Sequence, residues 1–159
     1  MYEPIRTKSV HTMAAAPDFP HRSREEELDI RLAGQLTALL TVTDELRALA
    51  PREGQAPDAA GPDAAGPDGA APDGVALTAA ADRIAEQVAR LSGHYPLRAE
   101  PTDGGDPSRI PALQQRAHTL AGNALAVATS RDDAAAMALA AERMAAHGAA
   151  AGVRDLASA

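Results

Sequence analysis

The chain has 159 residues, a formal net charge of −7, 45% hydrophobic residues and no cysteine. This length fits one domain with a core, and the absence of cysteine excludes disulfides, thiolate metal ligands and a cysteine nucleophile. The acidic balance argues against nucleic acid as a partner, because phosphate binding needs clustered Lys and Arg. No run of about 18 apolar residues occurs, and the first residues lack the pattern of a secretion signal, so we expect a cytoplasmic protein without a membrane span.

Alanine dominates the composition and predicts an all-α fold. Forty residues are Ala, and only 2% are aromatic. Ala has the highest intrinsic helix propensity, whereas strands favour β-branched and aromatic residues. An Ala methyl buries little apolar area. We therefore expect closely spaced helices around a thin core.

Residues 1–22 are predicted to form an extended arm. Three prolines interrupt any continuous helix in this segment. Two of the three aromatic residues of the chain, Tyr2 and Phe19, also lie there. The arm either docks on the bundle or on a partner through these two residues, or is a mobile terminus with incidental aromatics.

Helix 1 is predicted over residues 23–50. Ser23 and Glu26 have the spacing of a capping box, and the acidic residues that follow Ser23 suit the positive end of the helix dipole. Pro51 ends the helix. Acidic residues outnumber arginines in this segment, which predicts an acidic face.

Steps of four and three residues separate the apolar positions of helix 1, the pattern of helices that pack side by side. Gln35 is the polar residue within that series. It either fixes register or oligomeric state, or lies at the boundary of a parallel series. The apolar stripe is wider than one seam needs, so we expect it to self-associate or to dock another helix. Its large residues are Leu36, Leu39, Leu40, Val42, Leu46 and Leu49.

A low-complexity linker is predicted over residues 51–73, where a slipped Pro-Asp-Ala-Gly repeat contains nothing that could be buried to offset the cost of ordering. Asp73 can cap helix 2, predicted over 74–92, which Gly93 ends. The flexible linker leaves both a parallel and an antiparallel arrangement of helices 1 and 2 open. Helix 2 has a regular seam: Leu77, Ala81, Ile84, Val88 and Leu91.

Helices 3 and 4 are predicted over 107–129 and 131–150. Helix 3 begins near Asp106 and Pro107 or at Pro111, because proline fits a first turn. Ser130 and Asp133 resemble a capping box for helix 4, and so short a connection predicts an antiparallel hairpin. The predicted seams are Leu113, Ala117, Leu120, Ala124 and Val127 in helix 3, and Ala134, Met137, Ala141, Met144 and Gly148 in helix 4.

The complete prediction is a four-helix bundle. One domain covers residues 23–151 and is interrupted by the linker at 51–73. Residues 152–159 form a C-terminal tail. Helix 1 is rich in leucine while helix 4 is nearly all alanine, so we expect the core to be organised around helix 1.

No catalytic, cofactor-binding or phosphate-binding motif is present in the sequence. His118 and His147 are the weak candidates for a metal site, since an antiparallel hairpin brings them within about one turn of each other; solvated histidines are the alternative. Asp82 and Glu86 share a helical face and are better explained as solvated charges than as paired catalytic acids. The turn between helices 3 and 4 outlines a helix-turn-helix, but the aspartates at its second helix would repel phosphates.

The opening M-Y-E-P-I-R-T-K-S-V-H-T-M, the capping box and the L-D-I-R-L-A-G-Q-L stretch resemble a group of small uncharacterised streptomycete proteins. The resemblance covers about the first fifty residues and implies no activity, ligand or catalytic residue. It agrees with the abundance of Ala and the single lysine, which indicate a GC-rich, actinobacterial genome.

These observations predict a non-enzymatic interaction or regulatory protein that forms a homo-oligomer or binds a helical protein partner through helix 1, without a cofactor. The alternative is a small-ligand or metal-binding bundle, or an enzyme, with its site on helices 3 and 4. Transcriptional control through DNA is a third interpretation.

Overall fold

The computed structural model describes residues 21–51, 71–98 and 105–152. Four helices make up most of these residues: α1 (Arg24–Leu49), α2 (Gly74–Ser92), α3 (Ile110–Arg131) and α4 (Ala134–Ala150). A single 3-10 turn, Pro107–Arg109, precedes α3, and none of the described residues is in a strand. The predicted all-α four-helix bundle is therefore confirmed. Most of the predicted arm, of the linker and of the tail lies outside the described residues.

Local side-chain caps begin the first two helices where the sequence predicts. The Ser23 N–H donates to Glu26 Oε2 at 2.9 Å, and the Glu26 N–H donates to Ser23 Oγ at 3.1 Å, which completes the capping box. Asp73 accepts from two N–H groups at the start of α2. Gly93, with φ of 81°, ends α2 in the left-handed conformation that glycine tolerates.

The turn between α3 and α4 differs from the prediction. α3 continues through Ser130, whose hydroxyl donates to the carbonyl of Ala126, so Ser130 does not cap α4. Asp132, with φ of 59°, ends α3, and Asp133 accepts from the Ala136 N–H to cap α4. A serine inside a helix can satisfy its hydroxyl on the preceding turn, and since Asp132 ends α3, Asp133 is the residue that caps α4.

The start of α3 uses both predicted signals. Asp106 accepts from the Ser108 N–H and caps the 3-10 turn, and Pro111 lies in the first turn of α3. Proline suits this position because the first N–H groups of a helix lack intrahelical partners.

Contacts between helix ends establish that α1 and α2 are antiparallel, which the sequence left open. A Cβ added to Gly74 would lie 3.3 Å from the Cβ of Ala50, so α2 begins where α1 ends. The Arg131 guanidinium at the end of α3 binds Asp29 near the start of α1. α2 and α3 therefore run in the same direction, and the connection between them returns along the length of the bundle.

α1 packs against α2 and α3, and α3 also packs against α4, while α2 and α4 approach each other at few points. The leucine-rich face of α1 supplies the largest fully buried side chains, and α3 and α4 line the same core mainly with alanine. Both observations agree with a thin core organised around α1. The buried large apolar residues of α1 are Leu32, Leu36, Leu39, Leu40, Val42 and Leu46.

The predicted seam of α4 is rotated relative to the observed one. Ala134 and Ala141 are exposed, and Leu139, absent from the prediction, is buried in the core at 3% exposure. A helix made almost entirely of alanine offers little contrast between its faces, so periodicity alone did not select the correct one. The seam of α2 is correct, with Leu91 only half-buried.

Candidate functional site

The stripe of α1 that was predicted to meet a partner lies inside the bundle. Five of its six large residues, Leu36, Leu39, Leu40, Val42 and Leu46, are at most 2% exposed. α2 and α3 of the same chain cover them. Leu49 is half-buried, and a side chain added at Gly105 would overlap it. The width of the stripe is explained by two neighbouring helices within the chain, and this face is not free for another one.

Gln35 is half-buried, whereas Leu32, Leu36 and Leu39 around it are fully buried. Its Oε1 is buried and lacks a hydrogen-bond partner among the described residues. This position fits the boundary alternative. Tyr2 and Phe19, the other predicted interaction residues, lie outside the described residues.

Most of the exposed large apolar side chains of the described residues surround the outer face of α2. Val75, at the start of α2, is 67% exposed; Tyr95 and Leu97, just after α2, are 71% and 101% exposed. Two clefts of about 720 Å³ and about 510 Å³ border these side chains, and Asp82 lines both. We call this surface the α2 outer face and define it by Val75, Asp82, Glu86, Tyr95 and Leu97.

Arg98 holds the segment that follows α2 against the bundle. Its Nε and Nη2 donate to the two carboxylate oxygens of Asp44 at 3.1 and 2.6 Å, and its Nη1 donates to Asp82 at 2.7 Å. The hydrogen bond to Asp44 raises the pKa of Arg98 above its ordinary value, against the opposing effect of burial. Asp44 belongs to α1 and is only 5% exposed, so its ion pair fixes Arg98 to the bundle. Tyr95 and Leu97, which precede Arg98, are thereby held beside α2.

The acidic residues predicted to form one face of α1 are partly paired. Asp29 accepts from Arg131 at 2.7 Å, and Glu45 accepts from Arg109 at 2.9 Å. Together with Asp44, these carboxylates bind arginines that lie outside α1. They hold distant parts of the chain together, and arginines from outside α1 neutralise part of its acidic face.

Ion pairs bridge α2 and α4 where few backbone contacts exist. Arg83 donates two hydrogen bonds to Glu142 at 2.9 and 2.7 Å, and Arg90 donates to Asp133 at 2.6 Å. The hydrogen bond from Arg83 lowers the pKa of Glu142. Burial opposes the shift at Asp133, but the Ala136 N–H and Arg90 together lower the pKa of this carboxyl. Arg90, near the end of α2, thus pairs with the residue that caps α4.

His118 and His147 meet at the contact between α3 and α4, as the predicted hairpin requires. His147 Nδ1 lies 2.7 Å from Oε1 of Gln114, and His118 Nδ1 lies 2.8 Å from the carbonyl oxygen of Met144. Both acceptors are carbonyl-type oxygens, so both imidazoles donate from Nδ1. His147 is 2% exposed, which contradicts a solvated position for this residue.

The second ring nitrogen of His147, Nε2, is buried and has no hydrogen-bond partner among the described residues. Burial, with Arg143 and His118 nearby, lowers the pKa of His147 to about 4. The ring is therefore neutral at pH 7. No group of three or more potential metal ligands occurs within residues 21–51, 71–98 and 105–152. Two imidazoles alone supply fewer ligands than the three or four protein side chains of a usual zinc site.

No family model, no curated protein and no solved structure matches the chain. Among the described helices, none has the length and apolar character needed to cross a lipid bilayer. The fold therefore defines the protein as a four-helix bundle in which a long crossover joins the parallel helices α2 and α3.

Sequence reasoning missed Arg98, Gln114 and the apolar residues around α2. Tyr95 and Leu97 flank a proline directly after the end of α2, and apolar residues in such a connection were a usable signal. No comparable signal identifies Gln114 or Arg98, because the buried partners that define their roles, His147 and Asp44, are 33 and 54 positions away in sequence.

Proposed function

We propose that the protein is a non-enzymatic helical interaction protein that binds a second polypeptide on the α2 outer face. The observation that carries the proposal is the exposure of Val75, Tyr95 and Leu97 around two adjoining clefts. Clustered apolar side chains of this size on a soluble domain are typical of interaction surfaces, whereas single exposed ones are ordinary. This surface replaces the apolar stripe of α1, which the bundle itself covers.

The partner that fits this surface is an amphipathic segment with large apolar residues and at least one Lys or Arg. Apolar side chains would occupy the clefts beside Val75 and Leu97. Glu86 is exposed on the same face, and Asp82 lies between the clefts with 59% of its side chain exposed. Asp82 already pairs with Arg98, so Glu86 is the carboxylate that favours a cationic partner. A second copy of the chain fits less well, because each copy has a net charge of −7.

A selection from a library of displayed helical peptides against the immobilised full chain tests the proposal. We expect enrichment of peptides with two or more large apolar residues and a Lys or Arg. In a direct titration, the variant with Val75→Glu and Leu97→Glu should bind a selected peptide at least about tenfold more weakly. The matched control is Ile30→Glu, which changes an exposed apolar residue of α1 and should leave the affinity unchanged.

Three results would overturn the proposal: no enrichment over an unrelated helical bundle, enrichment of acidic peptides, or equal affinities of the double variant and the parent. Sedimentation velocity measures whether the chain self-associates. A dimer that Leu97→Glu dissociates would make a second copy the occupant and contradict the peptide proposal.

The second candidate function is a small-ligand or metal-binding bundle with its site at His118 and His147. It is favoured by the meeting of these two side chains and by the unpartnered Nε2 of His147. Thermal unfolding with and without Zn²⁺ separates the candidates. We expect no increase in Tm, and an increase that His147→Gln abolishes would favour the metal site.

A further inference from the structure

Two hydrogen bonds in opposite directions hold the C-terminal half of α4 on α3. His147 of α4 donates to the Gln114 side chain of α3, and His118 of α3 donates to the Met144 carbonyl of α4. The second contact depends on Gly148, since a Cβ there would lie 2.9 Å from His118 Nδ1. Each hydrogen bond needs a hydrogen on Nδ1 of the imidazole. The neutral tautomer with its proton on Nδ1 supplies that hydrogen, so both bonds form without a charge on either ring.

A proton on Nε2 of His147 has no acceptor in this arrangement. The atom is buried without a partner among the described residues, and a charged imidazole would need a second acceptor there. The charged groups around it do not compensate. Arg143 lies one turn earlier on α4, His118 faces it from α3, and Arg83 of α2 reaches this part of α4 with its charge matched by Glu142.

Little apolar burial opposes the separation of this part of α4. From residue 143 onward the helix buries only His147 and Gly148, with Met144 half-buried. Leu139, the large apolar residue that α4 buries, lies about one turn before residue 143. Segments with few buried apolar contacts open locally at lower cost than the whole domain unfolds.

We infer that residues 143–150 form a pH-sensitive latch that separates from α3 when the His147 imidazole gains a proton. Separation exposes the ring to water and provides the hydrogen-bond acceptor that the packed state lacks. It also uncovers the part of α3 that contains Gln114 and His118. This device is independent of the surface proposed for peptide binding.

The size of the pH effect follows from the coupling between proton binding to His147 and the separation of α4 from α3. The separated state has the ordinary pKa of 6.5, and burial lowers the pKa of His147 in the packed state to about 4. The ratio of separated to packed α4 then increases about 20-fold between pH 7 and pH 5, and about 300-fold in the limit below pH 4. Well above pH 6.5 neither state binds the proton, so the ratio of separated to packed α4 no longer depends on pH.

NMR of the full ¹⁵N-labelled chain between pH 7 and pH 4.5 tests the inference. We expect the amides of residues 143–150 to lose protection from hydrogen exchange about 20-fold between pH 7 and pH 5, after correction for intrinsic exchange rates. The amides of α1 should keep theirs. His147→Gln, which retains a donor for Gln114, should abolish the pH dependence, and His94→Gln in the exposed loop should preserve it.

Equal protection of residues 143–150 at pH 7 and pH 5 would overturn the inference, and so would the same pH dependence in His147→Gln. If His147→Gln does not fold, the unsubstituted protein still tests the inference. Its His147 Cε1 proton must then titrate together with the loss of amide protection in α4, and titration of the ring near 6.5 with α4 still protected would refute the latch.

Discussion

Arg98 forms a two-point ion pair with Asp44, a carboxylate that lies at the edge of the core and is 5% exposed. The two residues are 54 positions apart, and their contact joins the connection after α2 to the C-terminal half of α1. Arg47 also approaches Asp44, at 3.3 Å. Because a buried carboxylate is costly without a partner, this pair matters more than the exposed ones.

Arg98→Ala should therefore lower the free energy of unfolding by about 2 kcal/mol, since it leaves Asp44 with only the longer contact to Arg47. Urea denaturation followed by circular dichroism at 222 nm measures the change. The matched control is Arg83→Ala, which removes an ion pair with 51% and 44% exposed side chains and should cost less than about 1 kcal/mol. Equal losses in the two variants would contradict the special role of Asp44.

Gln35→Leu should raise the free energy of unfolding by about 1 kcal/mol, because it removes a buried oxygen that has no partner and adds apolar area beside Leu36 and Leu39. The molar mass in solution, measured by light scattering, should be unchanged. A new oligomeric state would instead assign Gln35 the register role that the sequence also allowed.

Gly148→Ala should destabilise the protein by about 1 to 2 kcal/mol, although alanine is the better helix former, because the new methyl would overlap the His118 ring. Gly34→Ala is the control. Apart from the backbone of α1 itself, no atom of the described residues lies within 4 Å of a Cβ at Gly34, so that substitution should stabilise α1 by about 0.5 to 1 kcal/mol. Thermal unfolding of the two variants should shift Tm in opposite directions.

Asp133→Ala should cost about 1 to 2 kcal/mol, since it removes the cap of α4 and the partner of Arg90. Ser130→Ala should be nearly neutral, because Ser130 donates only to its own helix. The reverse order of these two losses would restore the capping box predicted from the sequence.

The pH dependence of Asp133→Ala should also differ from that of the parent. The folded state lowers the pKa of Asp133 below its ordinary value of 3.8, so the carboxylate contributes stability above that pH and loses it as the pH falls further. The variant should lose less stability than the parent below pH 4. Urea midpoints measured at pH 6 and pH 3 make the comparison.

The number of helices, and the bounds and caps of α1 and α2, follow from local signals, which is why the sequence alone determined them. Ser23 with Glu26, Asp73 and Gly93 act within one turn of their own helices, and the seam of α2 is a strong contrast between apolar and polar positions. The composition likewise determined a thin core lined with alanine. Where the contrast is weak, as in α4, the same reasoning chose the wrong face and missed Leu139.

Only the tertiary structure decided which surfaces are covered. The leucine stripe of α1 has the same periodicity whether its neighbours belong to the same chain or to a partner, and α2 and α3 proved to be those neighbours. The burial of His147 beside Gln114 and the pairing of Arg98 with Asp44 depend on how helices distant in sequence are arranged. Helical periodicity shows which face of a helix is apolar. Which helices pack against that face depends on the free energy of packing the whole chain.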